Sequence, residues 1–244
     1  MNRIIRLLPL LLLAISGTAV ADDLTVTATD WPPYISSDLY RDGVVAVVTA
    51  EAFRRAGYGT SMTIENWPAA LEKAEDGVYD VIAAIWQTDK RSNQMLFSEP
   101  FLKNYIVFIK RADSAAQFRV RADLDGLRIG VVEDYAYSDQ PYDTAGITIA
   151  AAGSVKENID RLLANELDLV LADSRVAAYE INKMAEAKNL TLIRNPLLTR
   201  GLRIAVSRQN PRHVEIISAF NYAIAEMQDD GSYNEILATF RVSQ

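Results

Sequence analysis

The stretch Pro68-Ala69-Ala70-Leu71-Glu72-Lys73-Ala74-Glu75-Asp76-Gly77, running on into Val78-Tyr79-Asp80-Val81-Ile82-Ala83-Ala84-Ile85, decides the fold class. Its first half reads as a helix. Proline occupies the first turn, where its missing N–H would have no partner anyway, and Gly77 follows the last turn as a stop. Its second half is an apolar run broken by Asp80, as a strand buried on both faces would be. A helix feeding directly into a buried strand is the repeating unit of an α/β sheet.

The same alternation continues outward. Residues 24–28 alternate as a strand and stop at Asp30-Trp31-Pro32-Pro33. Residues 44–56 carry Val44, Val47, Val48 and Phe53 at helical spacing and end at Gly57, and residues 61–65 read as a strand. Downstream, residues 106–110, 127–132, 147–150 and 168–172 read as strands. Ser154-Val155-Lys156-Glu157 is a capping box that opens a helix to about Ala164, and residues 174–187 form another. Two further strands are predicted at 190–193 and 202–206, then a helix from Pro211 to Asp229 and a short one ending at Phe240. The pattern is that of an α/β protein with mainly parallel sheets, in which ligands bind beyond the carboxyl ends of the strands. That rule directs attention to Trp31 and Tyr34, to residues 86–91, to residues 134–137 and to Asp173.

Composition narrows the function. Arg3 and Arg6, the apolar run 7–15 and Ala19-Val20-Ala21 form an export leader that predicts cleavage after Ala21, a chain starting at Asp22, and residence in the periplasm. The chain has no cysteine, which excludes disulfides, thiolate metal sites, a cysteine nucleophile and a lipid anchor on cysteine. A formal net charge of −7 argues against nucleic acid as a partner, because that binding rests on Lys and Arg neutralising phosphates. The single histidine, His213, reads as a helix-surface residue. Without a histidine or cysteine partner a serine hydrolase has no base. No metal-ligand spacing is present and no cofactor is expected.

Thr88-Asp89-Lys90-Arg91, followed by Phe97-Ser98-Glu99-Pro100-Phe101, resembles the T-x-x-R…F-S-x-P-[YF] signature of family 3 extracellular solute-binding proteins. Asp30-Trp31-Pro32-Pro33-Tyr34, Gly77-Val78-Tyr79-Asp80, Asp125-Gly126-Leu127-Arg128-Ile129-Gly130-Val131, Leu171-Ala172-Asp173 and Asp230-Gly231-Ser232-Tyr233-Asn234-Glu235-Ile236 fall around it in the order that family shows. The resemblance implies a two-lobed periplasmic-binding-protein-like fold of type II, with two mainly parallel sheets joined by a two-segment hinge. It places lobe 1 at 22–100 plus 203–244, lobe 2 at 106–197, and the hinge at 101–105 and 198–202. It also implies a monomeric, soluble component of an ABC importer that binds an amino-acid-like solute and passes it to a membrane permease.

The same resemblance assigns candidate ligand-binding residues. Arg91, in the motif opened by Thr88, would hold the ligand carboxylate through two parallel hydrogen bonds. Asp173, in the other lobe, would take the ammonium, although it equally suits a helix N-cap. Trp31 and Trp67 match aromatic cleft positions. Trp86 stands where amino-acid binders usually carry a small hydroxyl residue, and Ala83 and Ala84 stand where some carry serine, so this chain departs from the usual pose toward an apolar, aromatic or ring-held cationic ligand body. Tyr135 and Tyr137 occupy the place of a backbone-binding loop, and Tyr34 is either a ligand wall or the packed end of its loop. Two alternatives share the fold. One is a periplasmic cyclohexadienyl-dehydratase-like enzyme using Asp173 or Asp134 as acid; the other is a clamp that reports its ligand to a membrane receptor.

Overall fold

The computed structural model describes residues 23–137 and 146–242, so the leader at 1–21 lies outside the described residues. In chain order the elements are β1 (Leu24–Thr29), α1 (Val44–Arg55), β2 (Thr60–Glu65), α2 (Trp67–Glu75), β3 (Val81–Trp86), α3 (Asp89–Ser92), β4 (Met95–Phe97) and β5 (Leu102–Arg111). They continue with β6 (Arg128–Val132), β7 (Thr148–Ala152), α4 (Val155–Leu163), β8 (Leu169–Asp173), α5 (Ser174–Asn182), β9 (Leu190–Ser207), α6 (His213–Asp229) and α7 (Ser232–Thr239). Among the described residues no helix is long and apolar enough to cross a membrane.

Strand pairing runs β2-β1-β3-β9-β5-β8-β6-β7, with β4 also on β9. Each end of this order is parallel: β1 pairs with β2 and β3, and β6 pairs with β7 and β8. The middle is antiparallel, where β9 and β5 pair with each other and each holds one end group. The first group is covered by α1 and α2, with α6 against β9; Phe220 of α6 meets Phe53 of α1 at 5.4 Å and Phe101, just before β5, at 5.5 Å between ring centroids. The second group is covered by α4 and α5.

Most elements follow the sequence pattern, and three differences have physical causes. Residues 190–193 and 202–206 are not separate strands but the two ends of β9. The residues between them pair only with β5 and are largely solvent-facing, so they lack the apolar alternation that marks a half-buried strand. The register on β5 shifts between Ile106 and Phe108, whose partners are Leu198 and Ile193. Pro196, which has no N–H for the ladder, falls in that irregular segment. Val78 is 64% exposed and outside β3, because its N–H bonds the Lys73 carbonyl and closes the end of α2 with Gly77 at φ 75°. The segment between β3 and β5 adds α3 and β4, too short to show a period.

Gly43 ties the loop after β1 to the start of α1. It adopts φ 98° and ψ 170°, a region open essentially to glycine alone, and an added Cβ would lie 2.4 Å from the Tyr34 carbonyl oxygen. Gly57, at φ 87°, has no heavy atom within 4 Å of the same position. Gly43→Ala is therefore expected to destabilise by about 2–4 kcal/mol in urea unfolding, and Gly57→Ala by only about 1 kcal/mol. Equal losses in the two variants would contradict the close-approach account.

Candidate functional site

The carboxyl ends of β1 and β3 and the loop after β6 converge on a cavity of about 20 Å³, lined by Thr29, Trp31, Trp67, Ala84, Trp86, Arg91, Tyr135 and Ala136. Trp31 is set by the turn after β1, where its N–H bonds the Ile35 carbonyl at 2.7 Å. Trp67 is the first residue of α2, which Asn66 caps through the Ala69 N–H at 3.0 Å. Trp86 ends β3 beyond an irregularity between Ile82 and Ile85, where Ala84 takes φ 57°. Such a bulge changes which side chains face the cleft. Tyr135 follows Asp134, which also has a positive φ of 58°. Non-glycine residues in this region cost about 1–3 kcal/mol and cluster where function constrains the backbone.

The rings form a box. The Tyr135 ring lies 6.4 Å from Trp31, 6.4 Å from Trp67 and 6.1 Å from Trp86, nearly perpendicular to all three. Trp31 and Trp86 also meet edge to face at 5.6 Å. Two larger grooves share walls with the box. One, of about 540 Å³, includes Glu72, Glu75, Thr88 and Arg91. The other, of about 440 Å³, includes Asp30, Asp38, Glu133 and Lys156.

Arg91 is the cation of the box and is only 7% exposed. Its Nη1 donates to the Trp86 carbonyl at 2.9 Å and its Nη2 to the Asp134 carbonyl at 3.4 Å, across to the loop after β6. The guanidinium lies 5.0 Å from the centre of the Trp67 ring. Burial lowers its pKa below the usual arginine value, while the charges of Glu75 and Asp134 raise it. Neither acid comes within ion-pair distance of Arg91 among the described residues. Thr88 does not line the box; its hydroxyl caps α3 by accepting the Arg91 backbone N–H at 3.1 Å and so positions the arginine.

Tyr34 and Asp173 lie together behind the box and do not line it; the Tyr34 ring packs on Trp31 at 4.6 Å. Tyr34 is fully buried and donates its hydroxyl to Asp173 Oδ1 at 2.8 Å. The same carboxylate oxygen caps α5 by accepting the N–H groups of Arg175 and Val176 at 2.9 and 3.1 Å. Asp173 Oδ2 is buried with no partner among the described residues. Asn104, on β5, donates to the Tyr34 hydroxyl at 2.8 Å and accepts from Trp86 Nε1 at 2.7 Å. Burial is the main cause that raises the pKa of both Tyr34 and Asp173. His213 opens α6 with Nδ1 2.7 Å from the Asn210 carbonyl, outside the box.

The residues proposed from the sequence as ligand-binding include five at the box (Trp31, Trp67, Trp86, Arg91, Tyr135); Ala84 and Ala136 were singled out only by place, and Thr29, with Asn104 behind the box, was missed. Thr29 was reachable by the strand-end rule. Asn104 carried a signal too, since a polar side chain beside the apolar run of a strand needs a buried partner.

Comparisons agree with this architecture. Residues 24–242 match the family model for bacterial extracellular solute-binding proteins, family 3, and the chain belongs to that family. It is 22% identical over 221 residues to the lysine/arginine/ornithine-binding periplasmic protein of Escherichia coli (strain K12), covering 86% of this chain and 84% of that one. It is 26% identical over 165 residues to the L-arginine-binding protein of Pseudomonas aeruginosa, covering 64% and 62%. Among solved structures, an ancestral arginine-binding protein bound to arginine superimposes with a TM-score of 0.76 at 20% identity, over 89% of this chain and 97% of that one. A histidine kinase sensor domain with similarity to periplasmic binding proteins gives 0.76 at 19% identity, over 90% and 96%.

The Asp173 contacts predict a pH-dependent stability. A carboxyl whose folded pKa is raised contributes unfavourably once the pH exceeds its unfolded value near 4, by an amount that grows until the pH reaches the folded pKa and is constant above it. Asp173→Asn keeps an oxygen for the helix cap and for Tyr34, so it is expected to be at least as stable as the parent at pH 7, with the difference vanishing below about pH 4. Asp173→Ala is expected to cost about 2 kcal/mol. Urea titrations at several pH values check both.

Proposed function

We propose that this chain is the solute-capturing component of an ABC-type importer, working in the periplasm after loss of the leader at 1–21. It would bind an amino-acid-like or related small carboxylate between two lobes and deliver it to a membrane permease. The observation that carries this reading is Arg91, a buried guanidinium with an aromatic face and two carbonyls around it but, among the described residues, no acid paired to it. A buried cation is costly unless paired, and a ligand carboxylate would pair it with charge-assisted hydrogen bonds.

The lobes would be residues 22–100 with 203–244, and residues 106–197. The hinge would be residues 101–105 and 198–202, which fall on β5 and β9 where Leu102 to Tyr105 pair with Leu202 to Thr199. A ligand touching both sides of the cleft favours the closed arrangement by its differential contacts with it. Arg91 and Tyr135 line the same cavity, and Arg91 donates to the Asp134 carbonyl beside Tyr135, which supports this reading.

Binding rather than catalysis is favoured by the setting of the two candidate acids. Asp173 is committed to Tyr34 and the start of α5, and Asp134 is exposed. The names of the family relatives, which are amino-acid-binding proteins, support the same reading. The likeness to a histidine kinase sensor domain supports a second reading, a clamp that signals to a receptor. Transport of labelled solute into cells lacking only this protein separates the two.

Isothermal titration of the purified protein with amino acids and small carboxylates tests the site. Arg91→Ala is expected to weaken the tightest of these ligands by about 2–5 kcal/mol, roughly thirtyfold or more. Unchanged affinity would remove Arg91 from the site.

A further inference from the structure

Resting on the carboxylate-binding reading above, we infer that the box is built for a carboxylate with an aromatic body and no ammonium group, and that the Tyr135 ring holds the place this body takes. Of the eight lining residues, one is cationic and none is acidic. Its hydrogen-bonding groups are mostly donors. Arg91 uses two N–H groups on the Trp86 and Asp134 carbonyls, out of the five a guanidinium carries. Trp67 Nε1 is buried and has no partner among the described residues. The Tyr135 phenol, its pKa pushed up to about 12 by burial and then by the charge of Asp30, keeps its proton at neutral pH. The Trp86 N–H is already taken by Asn104.

An ammonium needs acceptors, and the carboxylates are elsewhere. Asp173 does not line the box: its Oδ1 is taken by Tyr34 and the start of α5, and its Oδ2 is buried with no partner among the described residues. Asp30, Glu75 and Asp134 belong to the neighbouring grooves and not to the walls of the box. Aromatic faces can hold a cation, but the guanidinium over Trp67 already does so, and a second positive charge beside it would be repelled. A carboxylate attached to an uncharged ring satisfies Arg91 and Trp67 together and leaves no ammonium unpaired.

Size and shape point the same way. The space left in the box, about 20 Å³, holds a single water at most. An aromatic ring already stands among the three tryptophans, near-perpendicular to each, and that ring is Tyr135. Its loop turns on Asp134, at φ 58°, so outward movement of Tyr135 would free a ring-sized volume with the same three neighbours.

The test is isothermal titration of the refolded, ligand-stripped protein with 3-phenylpropanoate, L-phenylalanine and L-arginine. All three tryptophans of the chain line the box, so their fluorescence gives a second readout. The expected result is that 3-phenylpropanoate binds about tenfold or more tightly than either amino acid, because each of those must bury an ammonium without a partner. Tyr135→Ala is expected to tighten 3-phenylpropanoate by about threefold or more, since an internal competitor is gone. If either amino acid binds more tightly than 3-phenylpropanoate, the inference is overturned while the solute-binding reading stands. If the acid wins but Tyr135→Ala weakens it, Tyr135 is a wall and the place-holding half is overturned. Silence toward all three overturns the inference. The importer reading fails separately, if a wider panel of amino acids and carboxylates is silent too.

Discussion

The antiparallel pairing of β5 with β9 is the constraint on which the rest of the molecule depends. Among the described residues the sheet is continuous from one parallel group of strands to the other through the hydrogen bonds between Leu102–Arg111 and Leu190–Ser207. The chain crosses between the groups on these two strands, so a change in their twist or register moves every side chain of one group relative to the other. The irregular segment of β9 between Ile193 and Leu198 marks where the pairing passes from one group's surroundings to the other's. Between the stretches where β3 pairs with β9 and β8 pairs with β5, the two groups are joined in the sheet by the ribbon of β5 and β9 alone.

This ribbon is wired to the cleft by buried polar contacts. Asn104 sits on β5, takes the Trp86 indole N–H and donates to the Tyr34 hydroxyl, which donates in turn to Asp173 at the end of β8. Four side chains from four separate parts of the chain therefore meet at the ribbon, and each finds its partner only in this arrangement. Networks of this kind contribute little net energy per bond but penalise alternatives strongly, since any rearrangement leaves buried polar groups unpaired. Asp173 is best understood as a member of this network, where it joins the first group of strands to the second and starts α5.

The cleft works by opposite logic. There the buried polar group is left incompletely paired: the Arg91 guanidinium has carbonyl oxygens and a tryptophan face but, among the described residues, no acid within ion-pair distance. Stability favours closing such gaps, and the positive φ values at Ala84 and Asp134 are a further local cost at the same place. Both departures from the most stable arrangement occur where the two groups of strands face each other, beside the aromatic box.

By itself the sequence determined the class of fold, most element positions and the chemistry available to the cleft. These are local properties: Gly77 stops α2 through its own backbone freedom, Asn66 and Ser154 cap the helices that follow them, and buried strands announce themselves as apolar runs. The strand-end rule also pointed to Trp31, Trp86, Arg91 and Tyr135, because each directly follows a strand or its turn. Tertiary structure alone decided how those residues are used. Whether Asp173 faces a ligand or caps a helix depends on where Tyr34 lies, 139 residues away. That β9 is one strand and not two depends on β5 standing beside it, since exposed residues carry no apolar pattern to reveal a partner. That Tyr135 stands among three tryptophans, and that Arg91 has no acid within ion-pair distance among the described residues, are facts of distance between elements far apart in the chain, and a linear pattern does not encode distance.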